Sequence, residues 1–111
     1  MNTIKLNIGL ENNPKSFTEV SKNTNWMLCF GLFESREEVG EYEGKPERTA
    51  VIKLTNDVDS ESTVIEFVEY LTTIFIQDCI AVKINDVGYL VYNPEYKGEK
   101  FEFNNEYFIE P

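Results

Sequence analysis

The 111-residue chain contains no histidine. That removes the side chain that most often serves as a general base near neutral pH and most often ligates zinc or iron. Serine–histidine and cysteine–histidine nucleophile pairs go with it. Cysteine is scarce: Cys29 lies in "MLCF" and Cys79 in "DCIAV". Two separated thiols alone do not make a structural zinc site. Each sits in an apolar run, so both are expected to be buried and reduced; the alternative is a single disulfide in a secreted chain. Basic residues are also few, ten Lys and Arg against 20 Asp and Glu, giving a formal net charge of −10 and a pI near 4.4. This excess argues against direct binding to nucleic acid or to an anionic membrane surface, both of which need a basic face. It leaves cationic partners open.

No apolar run approaches the roughly 18 residues of a membrane span. The opening "MNTIKLNIGLENN" has no basic start, no apolar core of signal length and no small-residue cleavage site. A cytoplasmic, unprocessed chain is therefore expected. Walker loops and dinucleotide fingerprints are missing too; Gly40 and Gly44 are four apart, but no strand-to-helix turn surrounds them. No solenoid repeat and no low-complexity segment interrupts what reads as one domain, residues 1–111, with a core over about 3–92 and an extension over 93–111.

What is present is apolar pattern. Hydrophobic residues make up 41% of the chain, with one tryptophan, six tyrosines and eight phenylalanines, enough for a folded core. Ile4, Leu6, Ile8 and Leu10 alternate with polar residues and predict a half-buried strand. "ENNPKS" turns the chain. Pro14 suits a first helical position after an Asn13 cap, and Ser16 with Glu19 has capping-box spacing. A short helix to about Lys22 follows, anchored by Phe17 and Val20 and ended by "KNTN". Trp26 to Phe33 is apolar on both parities and reads as a strand covered on both faces, or with one face on the core and one on a partner, and Gly31 marks a bulge or a close backbone approach. "ESREEVGEYEGKPER" then reads as the tip of a long hairpin returning through "RTAVIKL". Val64, Val68, Leu71 and Phe75, widened by Ile65 and Ile74, predict a helix capped by Asp59 or Ser60. "CIAVKI" and "VGYLVY" read as strands joined at Asn85–Asp86, and "EKFEF" as a short edge strand.

The order is strand, helix, strand, strand, helix, strand, then one or two further strands. It predicts an α+β fold of the ferredoxin-like split βαββαβ type: an antiparallel sheet, two helices on one face and a β-rich C-terminal extension. "IGL" closing the first strand, "GEYEGKPERTAVIKL" across the hairpin and "FIQDCIAVKI" after the second helix resemble a layout found in small uncharacterised bacterial and phage proteins. The resemblance covers most of residues 3–84. It implies the fold, supplies no functional residue, and leaves the aromatic tail outside.

Candidate sites fall into three groups. Asp57, Asp59 and Glu61 have part of a calcium-loop spacing, but the glycine at the sixth position is missing and Val68 stands where the twelfth-position glutamate belongs, so capping acids at a helix start explain them. Glu34, Glu37, Glu38, Glu41 and Glu43 form an acidic hairpin. Strand parity puts Glu37 and Glu41 on one face and Glu34 and Glu38 on the other, which suits a solvated hairpin better than a magnesium site. The same carboxylates could imitate nucleic-acid phosphates to a basic groove, or simply guard an edge. Trp26, Phe30 and Phe33, with Tyr92, Tyr96, Phe101 and Phe103, provide apolar surface for a partner-binding sheet face, a second copy above all. The other possibility is a tail that covers its own sheet. Arg36, Arg48 and Lys53 are candidate contacts for a phosphate on a small ligand.

These observations lead to a non-catalytic binding or interaction protein, expected as a homodimer, with no metal and no cofactor. Its partner would be a protein with a basic surface or a small molecule. The alternative is an inhibitor of a host defence system, of the kind phages carry, acting by acidic mimicry or by sequestering a nucleotide signal. A third reading is an enzyme relying on carboxylates and tyrosines.

Overall fold

The computed structural model describes residues 1–105 and 108–111. Six strands and two helices follow the order β1 (Asn2–Gly9), α1 (Phe17–Leu28), β2 (Phe33–Tyr42), β3 (Lys45–Asn56), α2 (Glu61–Ile74), β4 (Cys79–Ile84), β5 (Val87–Tyr92) and β6 (Phe101–Phe103). They form one antiparallel sheet in the order β2-β3-β1-β4-β5-β6. The first four are arranged as in a ferredoxin-like split βαββαβ unit, and β5 and β6 extend the β4 edge.

Alternation decides which face is buried. Ile4, Leu6 and Ile8 of β1, Ala50, Ile52 and Leu54 of β3, and Ile80, Val82 and Ile84 of β4 join Val20 and Leu28 of α1 and Val64, Val68 and Leu71 of α2 in one core. Both helices therefore cover the same face. The opposite, open face carries Lys5, Asn7, Gly9, Glu47, Val51, Lys53, Cys79, Lys83 and Tyr92. Two tight turns follow from residues that accept a left-handed backbone: Glu43–Gly44 (φ 51° and 78°) between β2 and β3, and Asn85–Asp86 (φ 50° and 72°) between β4 and β5.

Three expectations need correction. The first helix does not stop at Lys22. It runs to Leu28, through "KNTN" and Trp26. Its cap is Ser16, whose hydroxyl accepts from Glu19 N–H at 3.2 Å while the Glu19 carboxylate accepts from Ser16 N–H at 3.2 Å. Asn13 instead closes the preceding turn, accepting from Lys15 N–H at 2.8 Å. Val20, Thr24 and Leu28, four apart, give the helix its buried stripe, so the polar residues between them only face outward. The expected strand over Trp26–Phe33 is thus a helix end plus a link. β2 is instead the glutamate-rich stretch itself. Gly31 (φ 145°) belongs to the link, where a Cβ would fall 2.3 Å from Thr55 Oγ1. That link is pinned to the end of β3 by Phe30 N–H to Thr55 O (2.8 Å) and Thr55 N–H to Leu32 O (3.0 Å). Cys29 and Cys79 are free thiols, half-buried rather than buried. Among the described residues no helix is long and apolar enough to cross a membrane.

Candidate functional site

The first site is the free edge of β2. Among the described residues this strand pairs with β3 on one side only, which leaves its other backbone edge unmatched. Phe33, Ser35, Glu37, Val39 and Glu41 share the parity of the core-facing residues of β3; Glu34, Arg36, Glu38, Gly40 and Tyr42 lie on the open face. Only Phe33 packs against the core. Glu34, Glu37, Glu38, Glu41 and Glu43 are all exposed, as the solvated reading of that stretch expects. At the entry to this strand Trp26, Phe30 and Leu32 are 88%, 75% and 73% exposed. Trp26 lies opposite the buried stripe of α1, and Phe30 and Leu32 lie in the link.

The aromatic residues expected to form one sheet face are divided. Trp26, Phe30 and Phe33 lie on the β2 side, while Tyr92, Tyr96, Phe101 and Phe103 lie at the opposite edge. There they split again. Phe101 and Phe103 share the helix-bearing face with Tyr89, their rings 5.4 and 5.1 Å from its ring. Tyr92 is on the open face, stacked on Tyr96 at 6.1 Å and donating to the Glu102 carboxylate.

The expected anion contacts do not converge either. Arg48 is on the helix-bearing side and pairs with Glu11 at 2.9 Å, which holds that carboxyl below the usual range. Lys53 is exposed beside Glu34 in the register. Arg36 reaches Glu38 at 3.1 Å and the carbonyl of Glu110 at 2.7 Å.

Two groupings escaped sequence reasoning. The first is the end of the open face where β2, β3, β1, β4 and β5 bring Tyr42, Glu47, Gly9, Cys79 and Tyr92 together. Tyr42 donates to Asp78 at 3.0 Å. Burial, and then this bond to a carboxylate, push the Tyr42 hydroxyl well above its ordinary pKa. Glu47 lies across Gly9, where a Cβ would fall 2.0 Å from its Oε1. Burial raises its pKa, and so do the nearby Glu11 and Asp78. Burial, and after it the charges of Asp78, Glu47, Glu43 and Glu102, push the Cys79 thiol up to about 11, so it stays protonated at neutral pH. Among the described residues no group of three or more Cys, Asp or Glu is placed to hold a metal. The second grouping is the last described segment, Phe108–Glu110, which lies on the middle of the open face. Asn7 and Arg36, which bond it, are both register partners of Val51, and Val51 is buried between them. Strand parity alone places Lys5, Asn7 and Lys83 on that face.

Neither a family model nor a curated protein matches this chain. A solved structure described as a phage SAM lyase in the apo state is similar over 98% of this chain and 92% of that one, at 14% identity and a TM-score of 0.48. The likeness extends the resemblance to phage proteins; at this level it concerns layout alone and hands no residue and no substrate to this chain. It does correct one expectation. The lack of histidine and the small size suggested a non-catalytic protein, yet a similar layout is described as a lyase.

Proposed function

We propose that this chain is an interaction module that docks on a basic protein surface through the free edge of β2. One observation carries the reading: a ten-residue edge strand with one backbone side unpaired, flanked by Glu34, Glu37, Glu38 and Glu41 and entered past exposed Trp26, Phe30 and Leu32. An unmatched edge offers main-chain hydrogen bonds to an added strand, and the flanking side chains set which strand is accepted. Carboxylates on both faces select a basic one and speed its approach. The aromatic residues supply the large apolar contacts that dominate interface energy. A second copy is a poor occupant of this edge, since pairing β2 with β2 would bring the same glutamates together. A groove that normally receives nucleic acid is a basic surface of the required kind, which is where inhibition by acidic mimicry would enter.

The test compares partners captured by the wild type with those captured by Glu34→Lys/Glu38→Lys and by Trp26→Ala/Phe30→Ala. The expected partner is basic, is released by salt, and is lost with both variants. A partner held equally by all three chains refutes the reading.

A second reading rests on Glu47. This half-buried carboxylate lies across Gly9 and near Asp78, at the end of the open face where Tyr42 and Tyr92 also lie, and has no cationic partner within 4.0 Å among the described residues. Tyrosine rings beside a desolvated carboxylate suit a small organic cation. Titration with tetramethylammonium, followed at the Gly9 and Cys79 amides, is expected to give saturable shifts that Glu47→Gln abolishes. Flat titrations of the wild type remove this reading.

A further inference from the structure

The contacts of Phe108–Glu110 have the form of a peptide held in a site. The Ile109 N–H donates to Asn7 Oδ1 at 2.7 Å, and Asn7 Nδ2 donates to the Ile109 carbonyl at 3.1 Å. One amide side chain thus takes both backbone groups of one residue, as a neighbouring strand would. The Glu110 carboxylate receives Lys83 Nζ at 2.6 Å on one oxygen and Lys5 Nζ at 3.0 Å on the other. Those two lysines hold its pKa below the usual range. Arg36 Nη2 donates to the Glu110 carbonyl at 2.7 Å. Phe108 lies under the Lys83 ammonium, 5.0 Å from ring centre to nitrogen. Ile109 abuts Gly40, where a Cβ would fall 2.9 Å from its Cδ1.

Every group that holds the segment stands on a strand: Lys5 and Asn7 on β1, Arg36 and Gly40 on β2, Lys83 on β4. The sheet fixes these positions whether or not the segment is there. Lys5 and Lys83 side chains are only 21% and 17% exposed, the lowest among the cations in ion pairs, so their charges lie in a fixed and partly dry place. A backbone clamp, two apolar contacts and a charge-assisted carboxylate pair are the separate elements of peptide recognition.

The geometry points to a peptide-binding site on the open sheet face, selective for an aromatic–aliphatic–glutamate sequence. The chain fills it with its own Phe108–Glu110, and the site takes the same sequence in trans. The inference is independent of β2 edge docking, because it uses the sheet face and not the unpaired edge. The tethered copy acts at an effective concentration on the order of millimolar, so a free peptide enters only when the tether is weakened.

The test uses the full chain carrying Glu110→Lys, which sets a fourth cation against Lys5, Lys83 and Arg36. The probe is the acetylated, amidated tetrapeptide Phe-Ile-Glu-Pro, followed by amide shifts at Asn7, Gly40 and Lys83. Saturable binding is expected, at least about tenfold tighter than to the wild type, whose tether competes. The peptide Phe-Ile-Lys-Pro should not bind this variant. Lys5→Glu/Lys83→Glu should reverse the choice and take Phe-Ile-Lys-Pro. If that chain does not fold, Lys83→Met in the Glu110→Lys chain should weaken the first peptide at least about tenfold, having lost the closer ion pair and the ring contact. No saturable shift in the Glu110→Lys chain up to about 10 mM peptide, a concentration above the expected tether strength, overturns the inference. So does equal binding of the two peptides.

Discussion

Replacing Gly88 with alanine tests how the chain beyond β5 is held. Gly88 lies in β5 on the open face, and its backbone is not in the left-handed region, so the local conformation accepts alanine. The added methyl would fall 2.2 Å from the Asn104 carbonyl oxygen and 2.4 Å from Asn105 Oδ1. Ordinary contact begins at 3.4 Å. The obstacle at Asn104 is backbone and must retreat by about 1 Å to relieve the overlap. Two hydrogen bonds stand in the way: Asn104 N–H to Gly88 O at 3.0 Å and Gly88 N–H to Asn105 Oδ1 at 2.8 Å. Their loss costs roughly 2 kcal/mol at about 1 kcal/mol net each. Alanine returns about 0.4–1 kcal/mol by restricting the unfolded chain. A net destabilisation of about 1–1.5 kcal/mol remains. Gly98 is the control: nothing lies within 4 Å of its added Cβ, so Gly98→Ala should be neutral or slightly stabilising. Urea unfolding gives the global difference, and hydrogen exchange at Phe101 and Phe103 locates it. Coincident urea midpoints for the two variants, with unchanged exchange in β6, would refute the reasoning.

Phe75→Ala removes the largest fully buried side chain and should cost about 3–5 kcal/mol in urea unfolding, with no change in which partner is captured. Glu47→Gln should stabilise the protein at neutral pH. The folded state raises this pKa, so ionised Glu47 costs stability above the folded value, and the advantage of the variant should vanish as pH falls through it. Glu110 has the opposite sign: its contribution is complete above the ordinary carboxylate pKa of about 4.3 and is lost as pH falls through the lowered folded value, which acid-dependent exchange at Ile109 N–H would show. Trp26→Ala with Phe30→Ala should change stability by less than about 0.5 kcal/mol, because both side chains already face solvent.

β1, β3 and β4 were legible because one parity of each is apolar and buried, and β5 because a short apolar run follows the Asn85–Asp86 turn. So was α2, whose Val64, Val68 and Leu71 are buried as the spacing requires. The α1–β2 boundary was not. Trp26–Phe33 carries more apolar residues than any neighbouring segment, yet Trp26 and Phe30 end up in solvent. The helix is held through that region by a thinner stripe that includes Thr24, a residue the apolar pattern does not count. β2 in turn has almost no apolar face. It is a strand because β3 pairs with it along ten positions, a long-range cause that local pattern does not encode. The Phe108–Glu110 contacts have the same origin: Asn7 and Ile109 are 102 positions apart. Parity placed Lys5, Asn7 and Lys83 on one face, but nothing local said that the far end of the chain would return to them.

The charge distribution separates the two roles that glutamates on an edge strand can serve. Protection against edge pairing is met by a few charges of either sign, lysine above all. Here six of the ten cations, Lys5, Lys83, Arg48, Lys15, Lys97 and Lys100, take ion-pair partners off the β2 edge, and only Arg36 pairs on it, with Glu38. Glu34, Glu37 and Glu41 have no ion pair within 4.0 Å among the described residues. An edge with four glutamates and one cation, Arg36, is also costly, because exposed like charges along one strand repel within a Debye length of about 10 Å at 0.1 M salt. Protection alone gives no reason to keep that repulsion; a basic partner removes it on binding. The two roles differ in their response to salt. Screening should leave a purely protective edge unchanged in its associations and should raise the stability of the free chain slightly. For a docking edge it should slow association steeply while leaving dissociation, set by Trp26, Phe30 and the main-chain bonds, nearly constant.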